Sequence, residues 1–484
     1  MAADAGSQRL HAHLNRLSGV WHLRHRDHGQ DLASRPDPSL PAGTDRVPQI
    51  KHVVLLMMEN HSFDNYLGML GRGDGLPQPL PSNPAGDGTP VVAYEFASPG
   101  QVENVPSQSW RASHVQYAEG CNDGFVRAIE QLAPDADAAL GMGHWTERDL
   151  PFYSALAHTF PLADRWFCSC LGPTFPNRRF LVAGTANGLI DDVMAGIIDY
   201  PRTGTIFDVL NRYSIRWLNY HHVTSRRLLH TRMAGRVGLR WARGLKLAAG
   251  QFLPTVKHLA RGEIVATANL YPLGLWRTVS HLRHVRQFFA DAAAGTLPPV
   301  SIVDPDFDTC SEENPQDVRV GEGYAAAVID AVMRGPGWPH TLLIWFYDEH
   351  GGYYDHVPPP PAVEPDEMLP HSLRDRRGPL GWLAKHTGLR ARVQQLDGAG
   401  HGRYDRLGFR VPAVVVSPYA RPDFVSSTVY DHTSALKLIE EKFNLPPLTR
   451  RDAAATAPWE MLDLDAPPAF LDPPALSPPA VRWR

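Results

Sequence analysis

The stretch KHVVLLMMENHSFDNYLG, residues 51–68, decides the fold because a continuous apolar run ends abruptly in polar groups. Residues 53–58 are all apolar, and Glu59 and Asn60 follow at once. A run that is apolar at every position, rather than at alternate positions, is typical of a strand buried on both faces of a parallel sheet. Two interpretations of its polar end are open: an ordinary turn, or a strand that carries ligands to a site.

Further apolar runs of the same character follow along the chain, and they are rich in β-branched or aromatic side chains. They are IRWLNY (215–220), PVSIV (299–303), TLLIWFY (341–347) and VPAVVVS (411–417), which we interpret as buried parallel strands. Helical patterns lie between them, for example over residues 323–334 and 434–443. This alternation predicts an α/β fold with helices on both faces of a mainly parallel central sheet.

The composition is that of an ordinary globular protein, with 484 residues, 43% hydrophobic and 20% charged. The net charge of −4 provides no global positive field for nucleic acid. Four cysteines are too few for a disulfide scaffold, although one or two bridges are compatible with the count. No signal-peptide core and no apolar run of about 18 residues is visible, so a cytoplasmic location is the default expectation, with secretion or membrane association left open.

Polar side chains follow three of the predicted strands. Glu59 and Asn60 end the first, Asp304 follows residues 299–303, and Asp348 and Glu349 follow residues 341–347. Ligands of open α/β sheets bind beyond the carboxyl ends of the strands, and clustered carboxylates require a compensating cation. We therefore predict a divalent metal site for Ca²⁺, Mg²⁺, Mn²⁺, Zn²⁺ or Fe. The alternative is that each group is a polar strand end on a loop.

A second constellation is GPTFPNRR, residues 172–179. The two prolines fix a turn that presents the Thr174 hydroxyl, and the helical pattern that follows places this turn at a helix N-terminus, where anions are favoured. Asn177 and Arg178 are candidates to bind an anion beside it. The equally strong alternative is that Thr174 is only the N-cap of this helix.

Four motifs together resemble the bacterial phosphoesterase family that includes nonspecific phospholipase C and a respiratory-burst-inhibiting acid phosphatase. They are ENHSFDNYLG (59–68), GPTFPNRRF (172–180), YDEHGGYYDHVPPP (347–360) and SPYARPDFVSSTVYDHTSALKLIE (417–440), and they occur in the family's order. The resemblance implies an alkaline-phosphatase-like α/β fold. It also implies a metal held by Glu59, Asn60, Asp348 and Glu349, with Thr174 as the nucleophile.

The resemblance further implies a metal-dependent phosphoric ester hydrolase. The leading expectation is phospholipase C-type cleavage of phosphatidylcholine or a similar phosphodiester through a phosphothreonine intermediate. Arg178 would stabilise the phosphoryl oxygens, and His350 or His356 would protonate the leaving alcohol. The alternatives are an acid phosphatase for small phosphomonoesters and a non-catalytic member that binds a phospholipid or anion. No nucleic acid partner is expected.

The chain departs from the family pattern at two positions where histidines are common. Gln108 and Asn314 stand there, and they are expected to contact substrate together with the nearby His114. Glutamine and asparagine can donate hydrogen bonds to phosphate but cannot transfer protons near neutral pH.

Two other histidine-containing motifs carry open alternatives. Asp355 can orient the ring of His356 for proton transfer, or the pair can simply hold the proline-rich loop that follows. Residues 431–434 (DHTS) are interpreted first as a helix cap formed by Asp431 or Thr433, and second as support for the metal site.

The predicted organisation has three parts: an N-terminal tail (1–46), a phosphoesterase catalytic domain (47–445) and a proline-rich C-terminal tail (446–484). Within the domain, a basic insertion over about 222–262 and a lid-like loop over about 358–410 are expected. Residues 209–262 contain no Asp or Glu but 11 Lys or Arg. The insertion therefore suits peripheral contact with an anionic membrane, and the alternative is a solvated helix packed on the core.

Overall fold

The structure is a computed structural model that describes residues 34–192, 200–222, 266–271, 275–368, 370 and 403–483. The predicted basic insertion lies outside the described residues apart from His222. So do residues 1–33 of the N-terminal tail and residues 371–402 of the lid-like loop. The roles assigned to those segments therefore remain predictions.

Short strands and helices alternate along the described chain, as the pattern of apolar runs predicted. The strands are β1 His52–Met58, β2 Ser82–Pro84, β3 Pro90–Val92, β4 Tyr94–Glu95, β5 Gly143–His144, β6 Leu162–Ala163, β7 Trp217–His221, β8 Leu282–His284, β9 Val300–Val303, β10 Thr341–Tyr347, β11 Ala413–Val416 and β12 Val425–Ser426. The helices are α1 Phe63–Leu67, α2 Trp110–Tyr117, α3 Phe125–Leu132, α4 Pro151–Thr159, α5 Thr174–Ala183, α6 Ile206–Arg212, α7 Leu275–Thr278, α8 Val285–Ala294, α9 Val318–Arg334, α10 His432–Lys442 and α11 Arg450–Ala454.

Within the described residues, the central sheet has eight strands in the order β12-β6-β11-β10-β1-β9-β7-β8. From β10 to β8 every neighbouring pair is parallel, which confirms the predicted mainly parallel sheet. Strands β1 and β10 pair in full register from His52 opposite Thr341 to Met58 opposite Tyr347. Because the two strands end at the same level, the residues that follow them leave the sheet side by side.

The prediction of a parallel strand over residues 411–417 is wrong in direction. Strand β11 covers Ala413–Val416 and runs antiparallel to both β10 and β6. All four of its residues are buried. A strand that is covered on both faces and paired on both edges is apolar throughout, whichever way it runs, so its composition carries no information about direction.

Helices cover both faces of the sheet, and two successive residues of β10 demonstrate this. The ring of Trp345 lies 4.4 Å from that of Tyr153 on α4, while the ring of Phe346 lies 5.7 Å from that of His432 on α10. Successive side chains of a strand point to opposite faces. Helices α4 and α10 therefore lie on opposite sides, which confirms the predicted three-layer α/β arrangement.

The proline-rich C-terminal segment packs back onto α9. The amide of Ala480 donates to Oε2 of the buried Glu322 at 3.2 Å, and the backbone of the segment crosses the helix at Gly323. A Cβ atom at position 323 would lie 2.2 Å from the carbonyl oxygen of Val481, so only glycine permits this approach. None of the described helices combines the length and apolar composition needed to cross a bilayer.

Candidate active site

The carboxyl ends of β1, β9 and β10 bring acidic side chains together around one buried arginine of α5. Nε of Arg178 donates to Oδ2 of Asp348 at 2.8 Å. Other nitrogens of the same guanidinium lie 3.5 Å from Oδ1 of Asp304 and 3.6 Å from Oε1 of Glu59. All four of these side chains are at most 2% exposed. The structure therefore assembles the strand-end acids that the sequence placed together.

One arginine does not neutralise this cluster. Burial raises the pKa of Glu59 and of Glu349 well above the usual range, and neighbouring carboxylates raise both pKa values further. Burial also raises the pKa of Asp348, against the lowering effect of Arg178. Burial alone would lower the pKa of Arg178, but the adjacent carboxylates raise it, so the guanidinium stays charged. The cluster consequently lacks positive charge.

Three of the four predicted metal ligands carry a buried oxygen atom that has no hydrogen-bond partner among the described residues. These atoms are Oε2 of Glu59, Oδ1 of Asn60 and Oε1 of Glu349. Each such acceptor costs about 1–3 kcal/mol unless something satisfies it. Carboxylate and amide oxygens are the donors that hard and borderline divalent cations prefer, so the residues present fit a divalent metal.

Backbone geometry holds these ligands at the strand ends. Asn60 has a φ of 71°, a left-handed conformation that asparagine tolerates better than most residues. Gly351 has a φ of 67°, and a Cβ atom there would lie 1.9 Å from the carbonyl oxygen of Asn60. The Gly351 amide in turn donates to Oε2 of Glu349 at 2.8 Å. The turn after β10 therefore fixes the position of the Asp348–Glu349 pair relative to the Glu59–Asn60 pair.

Thr174 is the first residue of α5, and its side chain is buried. Pro173 occupies the N-cap position without a side-chain bond, so the alternative that Thr174 caps the helix is wrong. Residues four apart share one face of a helix, which puts the Thr174 hydroxyl on the face that carries Arg178. The turn thus presents Thr174 on the same side of α5 as the acidic cluster.

The structure gives Asn177 a different task from the predicted anion contact. Its Nδ2 donates to the carbonyl oxygens of Gly172 at 2.7 Å and Pro173 at 3.1 Å, and its Oδ1 accepts from the Cys170 amide at 3.0 Å. Asn177 is fully buried. Its side chain is therefore committed to holding the turn that presents Thr174.

The two predicted proton donors lie in different surroundings. Burial lowers the pKa of His350 to about 3, and its Nε2 lies 2.8 Å from Oε1 of Gln116. This burial disfavours the imidazolium form that a proton donor requires. Burial lowers the pKa of His356, but Asp64 outweighs this, and the net shift is upward. Its ring nitrogens lie 2.7 Å from Oδ2 of Asp64 and 3.2 Å from Oδ1 of Asp74.

Asp64, Asp355 and His356 form a second cluster, whose ligand atoms lie within 4.8 Å of one another. Among the described residues, the strand-end acids do not form a group with ligand atoms this close together. In the second cluster, however, every carboxylate oxygen already accepts a hydrogen bond. Arg410 donates to Oδ1 of Asp64 at 3.0 Å and to Oδ1 of Asp355 at 2.8 Å. The carboxylate oxygens of this cluster therefore have hydrogen-bond donors within the protein itself.

The predicted substrate contacts are tied to local structure. Nδ1 of His114 donates to the carbonyl oxygen of Trp110 at 2.7 Å, and burial lowers the pKa of this histidine. Nδ2 of Asn314 donates to the carbonyl oxygen of Val102 at 3.1 Å and to that of Val105. The backbone carbonyl of Gln108 accepts from the Ser113 hydroxyl at 3.1 Å. Asn314 thus holds the 102–105 loop, and contact of these three residues with substrate stays a prediction.

Comparison with known proteins identifies the family of the chain. A sequence model of the Phosphoesterase family matches residues 50–446. The chain is 32% identical to Phospholipase C B of Mycobacterium tuberculosis over 462 residues, which covers 87% of this chain and 78% of that protein. It is 29% identical to Non-specific phospholipase C6 of Arabidopsis thaliana over 441 residues, or 84% of this chain and 71% of that protein.

The chain belongs to the Phosphoesterase family. The resemblance inferred from the four motifs is confirmed, and with it the prediction of a phosphoric ester hydrolase. It is also 28% identical to Hemolytic phospholipase C of Pseudomonas aeruginosa over 444 residues, which covers 84% of this chain and 54% of that protein. Members of the family generally use divalent metals, in agreement with the donor set at the strand ends.

Two residues of this phosphoesterase that contact or neighbour the site received no firm role from the sequence. Nε2 of His432 donates to the backbone carbonyl oxygen of Asp348 at 2.6 Å, so the DHTS motif supports the predicted site, while Asp431 caps α10 as predicted. Burial and the charge of Asp348 raise the pKa of Glu313 to about 7. The sequence feature that could have indicated a place near the site is the position of Glu313 in the segment that follows β9.

A buried glutamate beneath the site ties three elements of the phosphoesterase together. The carboxylate of Glu312 accepts hydrogen bonds from Tyr66 at 2.8 Å, from Tyr153 at 2.7 Å and from Tyr347, the last residue of β10. Its backbone carbonyl lies 3.1 Å from Nε2 of His61. Burial raises the pKa of Glu312 to about 8, against the lowering effect of the hydroxyls.

We expect Arg410→Met to lower the free energy of unfolding by about 3–5 kcal/mol, because it leaves the buried Asp64 and Asp355 without the guanidinium that they share. Urea denaturation measures this. The matched control is Arg334→Met, which removes a largely exposed ion pair with Asp330 and should change stability by less than about 0.5 kcal/mol. Equal effects of the two variants would contradict the role given to Arg410.

Glu312 should make stability depend on pH. Between the usual glutamate pKa of 4.5 and about 8, the folded protein keeps a proton that the unfolded chain has lost, so the free energy of unfolding falls as pH rises. In Glu312→Gln this decline should be smaller by several kcal/mol in total. Urea unfolding at pH 5, 6, 7 and 8 checks it, with the exposed Glu147→Gln as control. A slope unchanged in Glu312→Gln would mean that the three tyrosines keep the carboxylate ionised.

Proposed function

We propose that this phosphoesterase is a metal-dependent, phospholipase C-type hydrolase that cleaves phosphatidylcholine or a similar phosphodiester through a phosphothreonine intermediate at Thr174. One observation carries the proposal: among the described residues, three buried oxygens of Glu59, Asn60 and Glu349 have no hydrogen-bond partner, and they lie at strand ends that Arg178 of α5 contacts. The names of the three relatives, each a phospholipase C, support the choice of a phosphodiester.

Glu59, Asn60, Asp348 and Glu349 would hold the divalent ion. When bound, such an ion supplies Lewis-acid stabilisation of phosphoryl charge and lowers the pKa of a nearby hydroxyl. Arg178 has a supporting function in this arrangement. Its guanidinium is fully buried and bonded to Asp348, so it fixes the ligand carboxylates and keeps part of their charge compensated.

The reaction expected of Thr174 is an in-line displacement. Its Oγ1 attacks phosphorus and forms a P–O bond, while the bond to the alcohol oxygen of the lipid breaks and its electron pair leaves with that oxygen. The Thr174 hydroxyl loses its proton to solvent, and the leaving oxygen takes up a proton from solvent. Water then cleaves the phosphothreonine and returns the hydroxyl. Two features of the chain support this role: Thr174 stands at the N-terminus of α5, where the backbone dipole favours phosphate, and Asn177 holds the turn rigid.

The function is tested on three substrates: a chromogenic phosphomonoester, a chromogenic phosphocholine diester and phosphatidylcholine vesicles, each with Ca²⁺, Mg²⁺, Mn²⁺ and Zn²⁺. The proposal expects turnover of both phosphocholine compounds and its loss with a chelator. Turnover of the monoester alone would support an acid phosphatase instead. Phosphocholine binding without turnover under any metal would support the non-catalytic alternative.

Thr174→Ala should lower kcat/KM by roughly 10³-fold or more, because the nucleophile is gone. Thr174→Ser keeps a hydroxyl at the same position and should retain a large part of the activity. Isothermal titration with Mn²⁺ should give similar affinity for both variants and the wild type, which separates loss of chemistry from loss of the site. Full activity of Thr174→Ala would exclude the phosphothreonine intermediate.

The basic insertion is proposed to contact the surface of a membrane that contains the substrate. This proposal rests on sequence, since residues 223–265 lie outside the described structure. Arg236→Glu combined with Arg240→Glu should reduce pelleting with anionic liposomes several-fold, because each basic residue near such a surface contributes about 1 kcal/mol. Turnover of the water-soluble diester serves as the control and should not change. Unchanged pelleting would remove the membrane contact.

A further inference from the structure

The first turn of α5 has only two backbone donors that need a partner from outside the helix. The first four N–H groups of a helix have no acceptor within it. At α5 two of these four positions are Pro173 and Pro176, which carry no N–H group. The other two are Thr174 and Phe175. The Phe175 amide is therefore one of the two donors that remain, and it follows directly after the proposed nucleophile.

Asp192 supplies the partner of the Phe175 amide. Its Oδ1 accepts from this N–H group at 2.7 Å, across a separation of 17 positions in the chain. The side chain at the N-cap position normally provides such an acceptor to the second or third amide of a helix. Pro173 occupies that position at α5 and makes no side-chain bond. Asp192 thus takes the place of an N-cap side chain from a distant point of the sequence.

Asn177 and Asp192 together hold the backbone on both sides of Thr174. Nδ2 of Asn177 donates to the carbonyl oxygen of Pro173 at 3.1 Å, just before the threonine. The bond from Asp192 holds Phe175, just after it. A nucleophile between two fixed neighbours is already oriented before substrate binds, and a misplacement of about 1 Å can lower a rate by about 10²-fold.

A cap that contributes only to stability is the simpler explanation of this bond. Such a cap is worth about 1 kcal/mol and has no effect on the rate of catalysis. Two observations favour a role in the reaction: Asp192 is exposed, so packing of the core does not require it, and its partner amide belongs to the residue next to Thr174. The bond needs only an acceptor oxygen, so it does not depend on the ionisation of Asp192.

We propose that Asp192 is a positioning residue for phosphoester cleavage: its carboxylate oxygen fixes the Phe175 amide and thereby the orientation of the Thr174 hydroxyl towards phosphorus. The inference rests on the nucleophile of the proposed function. It adds a residue that lies outside the four motifs that identified the family. Asp192 acts through the backbone of α5 rather than by contact with the substrate.

The test compares Asp192→Ala, which removes the acceptor, with Asp192→Asn, which keeps an oxygen at the same position. In Asp192→Ala, kcat for the water-soluble phosphocholine diester should fall by about 10- to 100-fold with little change in KM, because a misplaced hydroxyl affects the transition state. Asp192→Asn should restore most of the activity. Mn²⁺ affinity in isothermal titration should not change in either variant. Asp192→Leu keeps the size of the side chain without an acceptor and is the second variant if Asp192→Ala does not fold.

Hydrogen exchange of the Phe175 amide provides a readout that does not depend on turnover. Exchange should be slow in the wild type and in Asp192→Asn, and faster in Asp192→Ala, because only the last lacks the acceptor. Asp137→Ala is the matched control, since Asp137 accepts from the second amide of the 3₁₀ helix Ala138–Met142 at 2.9 Å. This variant should leave kcat unchanged.

A double-mutant cycle separates positioning of the nucleophile from general damage. In the Thr174→Ala background the hydroxyl is absent, so Asp192→Ala should lower the residual activity by less than about 2-fold. An equal loss in both backgrounds, equal losses in Asp192→Asn and Asp192→Ala, or unchanged activity in Asp192→Ala would overturn the inference and leave the proposed nucleophile in place. Full activity of Thr174→Ala would overturn the nucleophile of the proposed function, and the inference with it.

Discussion

The ion pairs of the buried Arg178 guanidinium are the interactions on which the proposed active-site edge of the sheet depends. Three strands end in carboxylates at this edge, and such charges cannot remain close together in a desolvated interior without compensation. Arg178 contacts Glu59, Asp304 and Asp348 at once and thereby joins β1, β9 and β10 to α5. Since Thr174 lies one turn earlier on the same helix, the arginine that stabilises the acids also fixes the helix that presents the hydroxyl.

Among the described residues, the acids around Arg410 and those around Arg178 resolve the same electrostatic problem differently. Around Arg410, each carboxylate oxygen has a protein donor, and the cluster is complete as it stands. Around Arg178, oxygens of Glu59, Asn60 and Glu349 have no hydrogen-bond partner in the part of the chain that the structure describes. Buried acceptors without a hydrogen-bond partner cost free energy. Several such acceptors at one place therefore indicate a ligand site more clearly than the proximity of acidic residues does.

The sequence was sufficient to predict the strands of the central sheet that carry acidic residues at their ends. The bounds of β1 and β10 agree with the apolar runs, and the acids that follow them meet as expected because parallel strands in register end together. The sequence was insufficient to predict the role of a side chain when that role depends on its hydrogen-bond partners or its burial in the folded protein. Asn177 binds backbone carbonyls, and the pKa of His350 falls because the ring is desolvated; neither fact is encoded in the motif itself. The direction of β11 was likewise hidden, because full burial removes any alternation from a strand.

The register of β1 and β10 has a consequence for how such an enzyme can diversify. The four proposed ligands belong to only two dipeptides, and their relative positions follow from a main-chain ladder with Met58 opposite Tyr347. The ladder is formed by residues 52–58 and 341–347. Insertions and deletions in loops outside these two strands can therefore accumulate without changing its register. In evolutionary terms, the preference for a headgroup and the preference for a membrane surface can change while the proposed reactive centre stays the same.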